Sequence, residues 1–241
     1  MKRNKNGLKR IFIFVCLFAF VTLLIFCQKQ TNEAKELLDP PVLLASPADT
    51  LVEERGIDAI PESDAIRVEW LREDRFAGYS LFRRSDEEED FALLKKIAGQ
   101  DSFYVDREVE LNKRYYYYLL GKDEKNLWSE PSDTVDYMLL PKAYNLSVSL
   151  QEQITFLWHV VDITPAFYIL KLFDDLLDQA IWVSTVPSDY EGLEETATYN
   201  WDGRAVLPNL QSGRKYRWRI DIVGPAVNSG SESRWHKFVM P

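Results

Sequence analysis

Beyond residue 40 the chain falls into short runs in which large apolar side chains take every second position. Polar, turn-forming stretches separate the runs. Ile66, Val68 and Trp70 alternate with Arg67 and Glu69, which sets three apolar groups on one strand face and two charges in water. Further runs cover 79–83, 91–97, 102–106, the aromatic stretch 115–120, and 134–139. The pattern then starts again. Ile154, Phe156 and Trp158 alternate with Thr155 and Leu157, and Tyr168, Leu170 and Leu172 follow, then 180–185. Tyr216, Trp218, Ile220 and Ile222 alternate with Arg217, Arg219 and Asp221, and 234–240 closes the series. Runs of this period and length predict antiparallel strands and an all-β fold. Only 174–180 admits a helical reading, and it is short.

Pro40-Pro41 opens the first series, and Leu139-Leu140-Pro141 divides it from the second. The boundaries predict units at 40–140 and 141–241, each of about 100 residues, the size of an antiparallel sandwich. The junction has little slack, since proline also restricts the residue before it. It predicts two sandwiches in line, a semi-rigid rod with a small apolar contact between them. The units differ in spacing: Trp70 to Tyr115 is 45 positions, whereas Trp158 to Tyr216 is 58. The polar, acidic stretch 187–198 is the candidate insertion, expected as a surface loop or an edge hairpin.

Both series carry a tryptophan on the second strand, Trp70 and Trp158. Both also place an apolar residue six positions before a tyrosine, as Leu210 before Tyr216 and Val109 before Tyr115. Ser129-Glu-Pro-Ser132 precedes the last strand of the first unit. In these features the chain resembles tandem fibronectin type III domains. The resemblance implies two seven-stranded immunoglobulin-like sandwiches, with Trp70, Tyr79, Tyr115, Trp158, Tyr168, Tyr216 and Trp218 as structural core. It also implies tyrosine corners, in which a buried ring sends its hydroxyl to backbone just upstream.

Residues 1–10 are basic and polar, 11–26 are apolar apart from Thr22, and Cys27 follows. This is the layout of an export signal, and the segment 1–27 is expected as a signal peptide or a membrane-anchor helix. Leu24-Ile25-Phe26-Cys27 resembles a lipobox, with Phe26 where Gly, Ala or Ser is usual. That resemblance implies lipid attachment to Cys27. An uncleaved helix with its basic end in the cytoplasm is the alternative, and ordinary cleavage lacks a small-x-small site. Residues 28–39 are expected as a polar tether.

Charge and residue inventory narrow the chemistry. Residues 1–27 hold five basic side chains and no acid, so the remainder sets 24 basic against 38 acidic groups, a formal −14. Such a body is repelled by phosphate backbones, which argues against nucleic acid as a partner. Cys16 and Cys27 are the only cysteines, so the body has no disulfide or thiolate chemistry. His159 and His236 have no partner spacing for zinc, and no G-x-S-x-G is present. The acidic run 86–90 lacks the glycine of a calcium loop. No catalytic residue, metal or cofactor is expected.

Among seven tryptophans and twelve tyrosines, those without a core position are the candidates for contact. Trp128 lies in the loop before Ser129, and Asp189, Tyr190 and Glu191 lie in the candidate insertion. The function expected is that of a non-enzymatic, exported cell-envelope protein held at the membrane, a protein-binding, adhesion or spacer module. A carbohydrate-binding module would need a row of coplanar exposed aromatics. An accessory subunit of an envelope complex would show an apolar patch near the tether. Its partners are thus the membrane, through the anchor or lipid, and another protein or a glycan.

Overall fold

A computed structural model describes residues 37–46, 54–161, 163–188 and 193–241. The apolar segment with Cys27, and Asp189, Tyr190 and Glu191, lie outside the described residues. Leu38–Pro241 form one compact unit. Among the described residues, no helix is long and apolar enough to cross a membrane.

The fold is all-β. In chain order the strands are β1 (Asp58–Ile60), β2 (Ser63–Glu69), β3 (Gly78–Ser85), β4 (Ala92–Ala98), β5 (Phe103–Asp106), β6 (Arg114–Lys122) and β7 (Val135–Leu139). The second half supplies β8 (Tyr144–Leu150), β9 (Ile154–His159), β10 (Phe167–Asp174), β11 (Gln179–Pro187), β12 (Glu194–Thr198), β13 (Lys215–Val223), β14 (Ser229–Glu232) and β15 (His236–Val239). Two small sheets, β1-β2-β5 and β12-β9-β8, accompany one large sheet ordered β11-β10-β13-β14-β7-β6-β3-β4, with β15 also on β13.

Two hydrophobic cores result. The alternation of β2 and β6 puts Ile66, Val68, Trp70, Tyr117 and Leu119 into the first. Phe156, Trp158, Leu170, Trp218 and Ile220 fill the second, through the same period in β9, β10 and β13. Each core has a pinned corner. The Tyr115 hydroxyl accepts from the Glu110 amide at 3.1 Å, and the Tyr216 hydroxyl accepts from the Gln211 amide at 3.0 Å. A serine near the last strand does the same work in both halves. The Leu119 amide donates to Ser132 Oγ, and the Ile220 amide donates to Ser233 Oγ, both at 2.9 Å.

The halves do not meet end to end through a small apolar contact, as the sequence pattern predicts. They are joined edge to edge. β7 pairs in parallel with β14, with Ser229 beside Met138 and Gly230 beside Leu139. The Met138 amide donates to the Asn228 carbonyl, and the Leu140 amide to the Gly230 carbonyl, both at 2.9 Å. Gly230 lets β14 fit between its two neighbours: a Cβ there would stand 2.5 Å from the Ile222 carbonyl oxygen of β13 and 3.0 Å from the Tyr137 hydroxyl of β7. β7 is the shared wall, with Tyr137 and Leu139 in the first core and Met138 and Leu140 against the second. Pairing also hides two sheet edges that would otherwise template association.

Two further expectations change. Glu69 is buried rather than in water, because the segment before β1 folds over its end of β2. Its carboxylate accepts from the Gly56 amide at 3.1 Å and pairs with Arg55 and Arg67. Gly56 sits at φ 104°, and a Cβ would fall 2.0 Å from the Ala45 carbonyl oxygen, so only glycine fits this crossing. The stretch 187–198 is not simply an insertion, because its end is β12, which pairs with β9 as β5 pairs with β2. Most of the extra length falls later: Thr198 to Tyr216 is 18 positions, against 9 from Asp106 to Tyr115.

Candidate functional site

The strongest concentration of buried polar chemistry lies at the joint between the halves. The alternation of β10 and β13 that fills the second core also aims Lys171, Arg219 and Asp221 at the opposite face of the sheet. Lys171 and Arg219 are direct cross-strand partners, an arrangement of like charges that repels unless something intervenes. Glu54, from the first half, intervenes: its Oε1 accepts from both Lys171 Nζ and Arg219 Nη2. Asp221 pairs with Lys171 at 2.9 Å and with Arg219 Nε at 2.7 Å. Arg219 Nη2 also reaches Glu232 Oε1 at 2.6 Å. Nearby, Asp58 Oδ1 accepts from the Tyr137 hydroxyl at 3.0 Å and the Ala59 amide at 2.8 Å. Lys142 Nζ closes the edge, donating to the Ile60 and Glu232 carbonyls.

Burial and mutual repulsion set the protonation of this cluster. Burial, then the charge of Glu54, pushes the Asp58 carboxyl up to about 7. Burial, then Asp221, pushes Glu232 up to about 11, so it is protonated at neutral pH. Burial works against Glu54 as well, but Arg219 and Lys171 outweigh it and hold that carboxyl below the ordinary range. For Lys171, burial opposes the charge while Asp221 and Glu54 restore it and raise the ammonium. Burial lowers Lys142. Glu54, Asp221 and Glu232 are the one carboxylate group among the described residues close enough to share a metal ion. Lys171 and Arg219 already supply the positive charge at those oxygens, so the geometry suits an ionic joint and not a metal centre.

The sequence-predicted residues fall elsewhere. Trp70, Tyr79 and Tyr115 are buried in the first core, and Trp158, Tyr168, Tyr216 and Trp218 in the second. Trp128 is half-buried: its ring lies under Lys122 Nζ at 5.2 Å, and its carbonyl accepts from the Leu38 amide at 3.0 Å. It serves the entry of the chain into the first half. Trp182 is also core, its indole donating to Asp202 Oδ1 at 2.9 Å. Trp235 packs against Phe173 and under Arg217 and Arg219, whereas Trp201 stays 53% exposed. In the acidic run, Glu88 accepts from the Ser85 amide at 2.6 Å and Glu87 pairs with Lys113, which makes it a hairpin connection.

Aromatic rings also cover the outer face of β3 and β6. Phe82 and Tyr118 stack with centroids 4.7 Å apart and planes 3° from parallel, Phe91 packs edge-on to Tyr118, and Arg84 lies over Phe91 and Tyr116. These faces meet one another and a guanidinium, so they do not form a flat row for sugar stacking.

No protein-family model matches the chain, and no curated protein does. The two fibronectin type III domain segment from chicken tenascin is similar at 16% identity and a TM-score of 0.31, over 77% of this chain and 97% of that one. The chicken CNTN1 FN1-FN3 domains are similar at 13% identity and a TM-score of 0.34, over 84% and 69%. A β-1,2-glucanase from Parabacteroides distasonis is similar at 23% identity and a TM-score of 0.35, over 44% of this chain. The chain spans only 13% of that glucanase's length.

Proposed function

We propose that this chain is a non-enzymatic spacer of the cell envelope: two fibronectin type III-like modules, exported, held at the membrane through the N-terminal segment or a lipid on Cys27, and presenting a surface to another protein. One observation carries the reading, the edge-to-edge joint of β7 and β14. A hinge between modules would need loose linkage. Here a backbone ladder and buried ion pairs join them, which suits a part that transmits position. The paired tyrosine corners support the fibronectin type III-like assignment of each half. The self-stacked rings on β3 and β6 make a glycan the weaker choice of partner.

Spin labels on exposed Lys95 of β4 and Thr185 of β11 test the spacer in the full chain reconstituted in vesicles. A single narrow distance distribution is expected, and a broad one rules out a rigid spacer. Membrane fractionation of the wild type and Cys27→Ala tests the tether in parallel. A wild-type body found free of membranes would sink that half of the proposal.

A further inference from the structure

The ionic joint carries more acid than its cations can balance. Four carboxyls converge there: Glu54 from the segment before β1, Asp58 from β1, Asp221 from β13 and Glu232 from β14. The cations in direct contact are Lys171 of β10 and Arg219 of β13. Lys142, at the edge, spends its ammonium on two carbonyl oxygens. Even counting it, the four carboxyls face three cations among the described residues. Tyr137 of β7 faces Asp58 as a hydrogen-bond donor, and the Trp235 ring lies against Arg219. Asp64 and Glu62, next to the β1–β2 turn, act on Lys142 from outside. A buried charge without a partner is strongly disfavoured, and the group neutralises instead.

We propose that the joint is a proton-loaded clamp: protons held on Glu232 and Asp58 let the two halves close, and losing them as the medium turns alkaline loosens the joint. This rests on the joint and not on membrane tethering. A protonated Glu232 still accepts from Arg219 through its carbonyl oxygen, and it has a proton to share with Glu54. Asp58 and Glu232 lie on different halves, β1 against β14, so two ionised carboxylates would push the halves apart.

The sign follows from linkage. Both carboxyls are raised in the closed form, so that form binds more protons than the open one. Their stabilisation is complete below the ordinary carboxylate range. It is lost as pH rises, for Asp58 up to about 7 and for Glu232 up to about 11.

Amide exchange at Met138 and Leu140, measured on the full chain in detergent micelles, reads the joint. Corrected for intrinsic exchange, protection should fall about a hundredfold or more between pH 6 and 8, since one linked proton is worth a factor of ten per pH unit and the interval spans two. Glu232→Gln, which copies the protonated form, should flatten that dependence. Protection unchanged over this range in the wild type, or an equally steep dependence in Glu232→Gln, overturns the proposal. Should the variant not fold, wild-type calorimetry in buffers of different ionisation enthalpy decides: unfolding at pH 7 should release about one proton, and zero release or uptake refutes the clamp.

Discussion

Leu139 and Leu140 are neighbours in sequence and lie in different cores, Leu139 fully buried in the first and Leu140 in the second. Successive side chains of a strand point to opposite faces. In most edge strands one face meets a core and the other meets water. Here both meet a core, because β14 continues the sheet past β7. Leu140→Ala should therefore cost about 2–5 kcal/mol, a full core penalty from a junction residue. Urea unfolding checks it, and a change below about 0.5 kcal/mol, the range of a surface site, would show that the second core does not need β7.

Glu54 is the group from the first half that bridges the like charges of Lys171 and Arg219, beside Asp221 of β13, which contacts both as well. Glu54→Ala should destabilise the fold by about 3 kcal/mol, at the lower end for breaking a buried ion pair, because Glu232 can give up its proton in compensation. The same unfolding assay measures this. Lys171→Met combined with Glu54→Ala should recover part of the loss, and full additivity of the two changes would show that they are not coupled.

Much of this architecture was legible in the sequence, and the divide falls along a physical line. The period-2 runs around Trp70, Trp158 and Trp218 mark strands because burial on one face dictates every second residue. Tyr115 and Tyr216 were legible because a corner fixes their distance from an upstream apolar residue. β14 was not. Its residues are Ser, Gly, Ser and Glu, and backbone pairing to both neighbours, not side-chain burial, makes it a strand. Nor could alternation reveal that Arg219 and Asp221 are buried. It puts them on the face opposite the core, and Glu54, more than 150 positions away, with Glu232 and the Trp235 ring, turns that face inward. A clue existed in Lys171 standing opposite Arg219, but reading it requires the register.

The tyrosine corners should each contribute about 1 kcal/mol through one hydrogen bond, with a larger loss where the upstream amide is left without a partner. Tyr216→Phe keeps the ring and deletes the bond to the Gln211 amide, and Tyr115→Phe does the same for Glu110. Thermal unfolding of both variants tests whether the halves are equivalent. No loss in either would mean the hydroxyls are ornamental.

Asp202 gathers the later loop of the second half, accepting from Trp182 Nε1, Ser184 Oγ and the Arg204 amide. Burial pulls its carboxyl upward, but the bonds from Ser184, Arg204 and Trp182 outweigh it and hold it below the ordinary range. Its contribution is thus present above that range and lost as pH falls through it. Asp202→Asn should flatten the acid limb of stability below about pH 4 and leave the alkaline side unchanged. Parallel acid limbs for variant and wild type would contradict this.

The joint between β7 and β14 is tested most directly by hydrogen exchange at the Met138 and Leu140 amides in the full chain near neutral pH. Both donate across the joint, to Asn228 and Gly230. If the halves form one continuous sheet, these two amides exchange as slowly as the Tyr117 and Leu119 amides in the interior of β6. Exchange close to the rate of an unstructured peptide at Met138 and Leu140, with β6 still protected, would show two separate sandwiches and contradict the account.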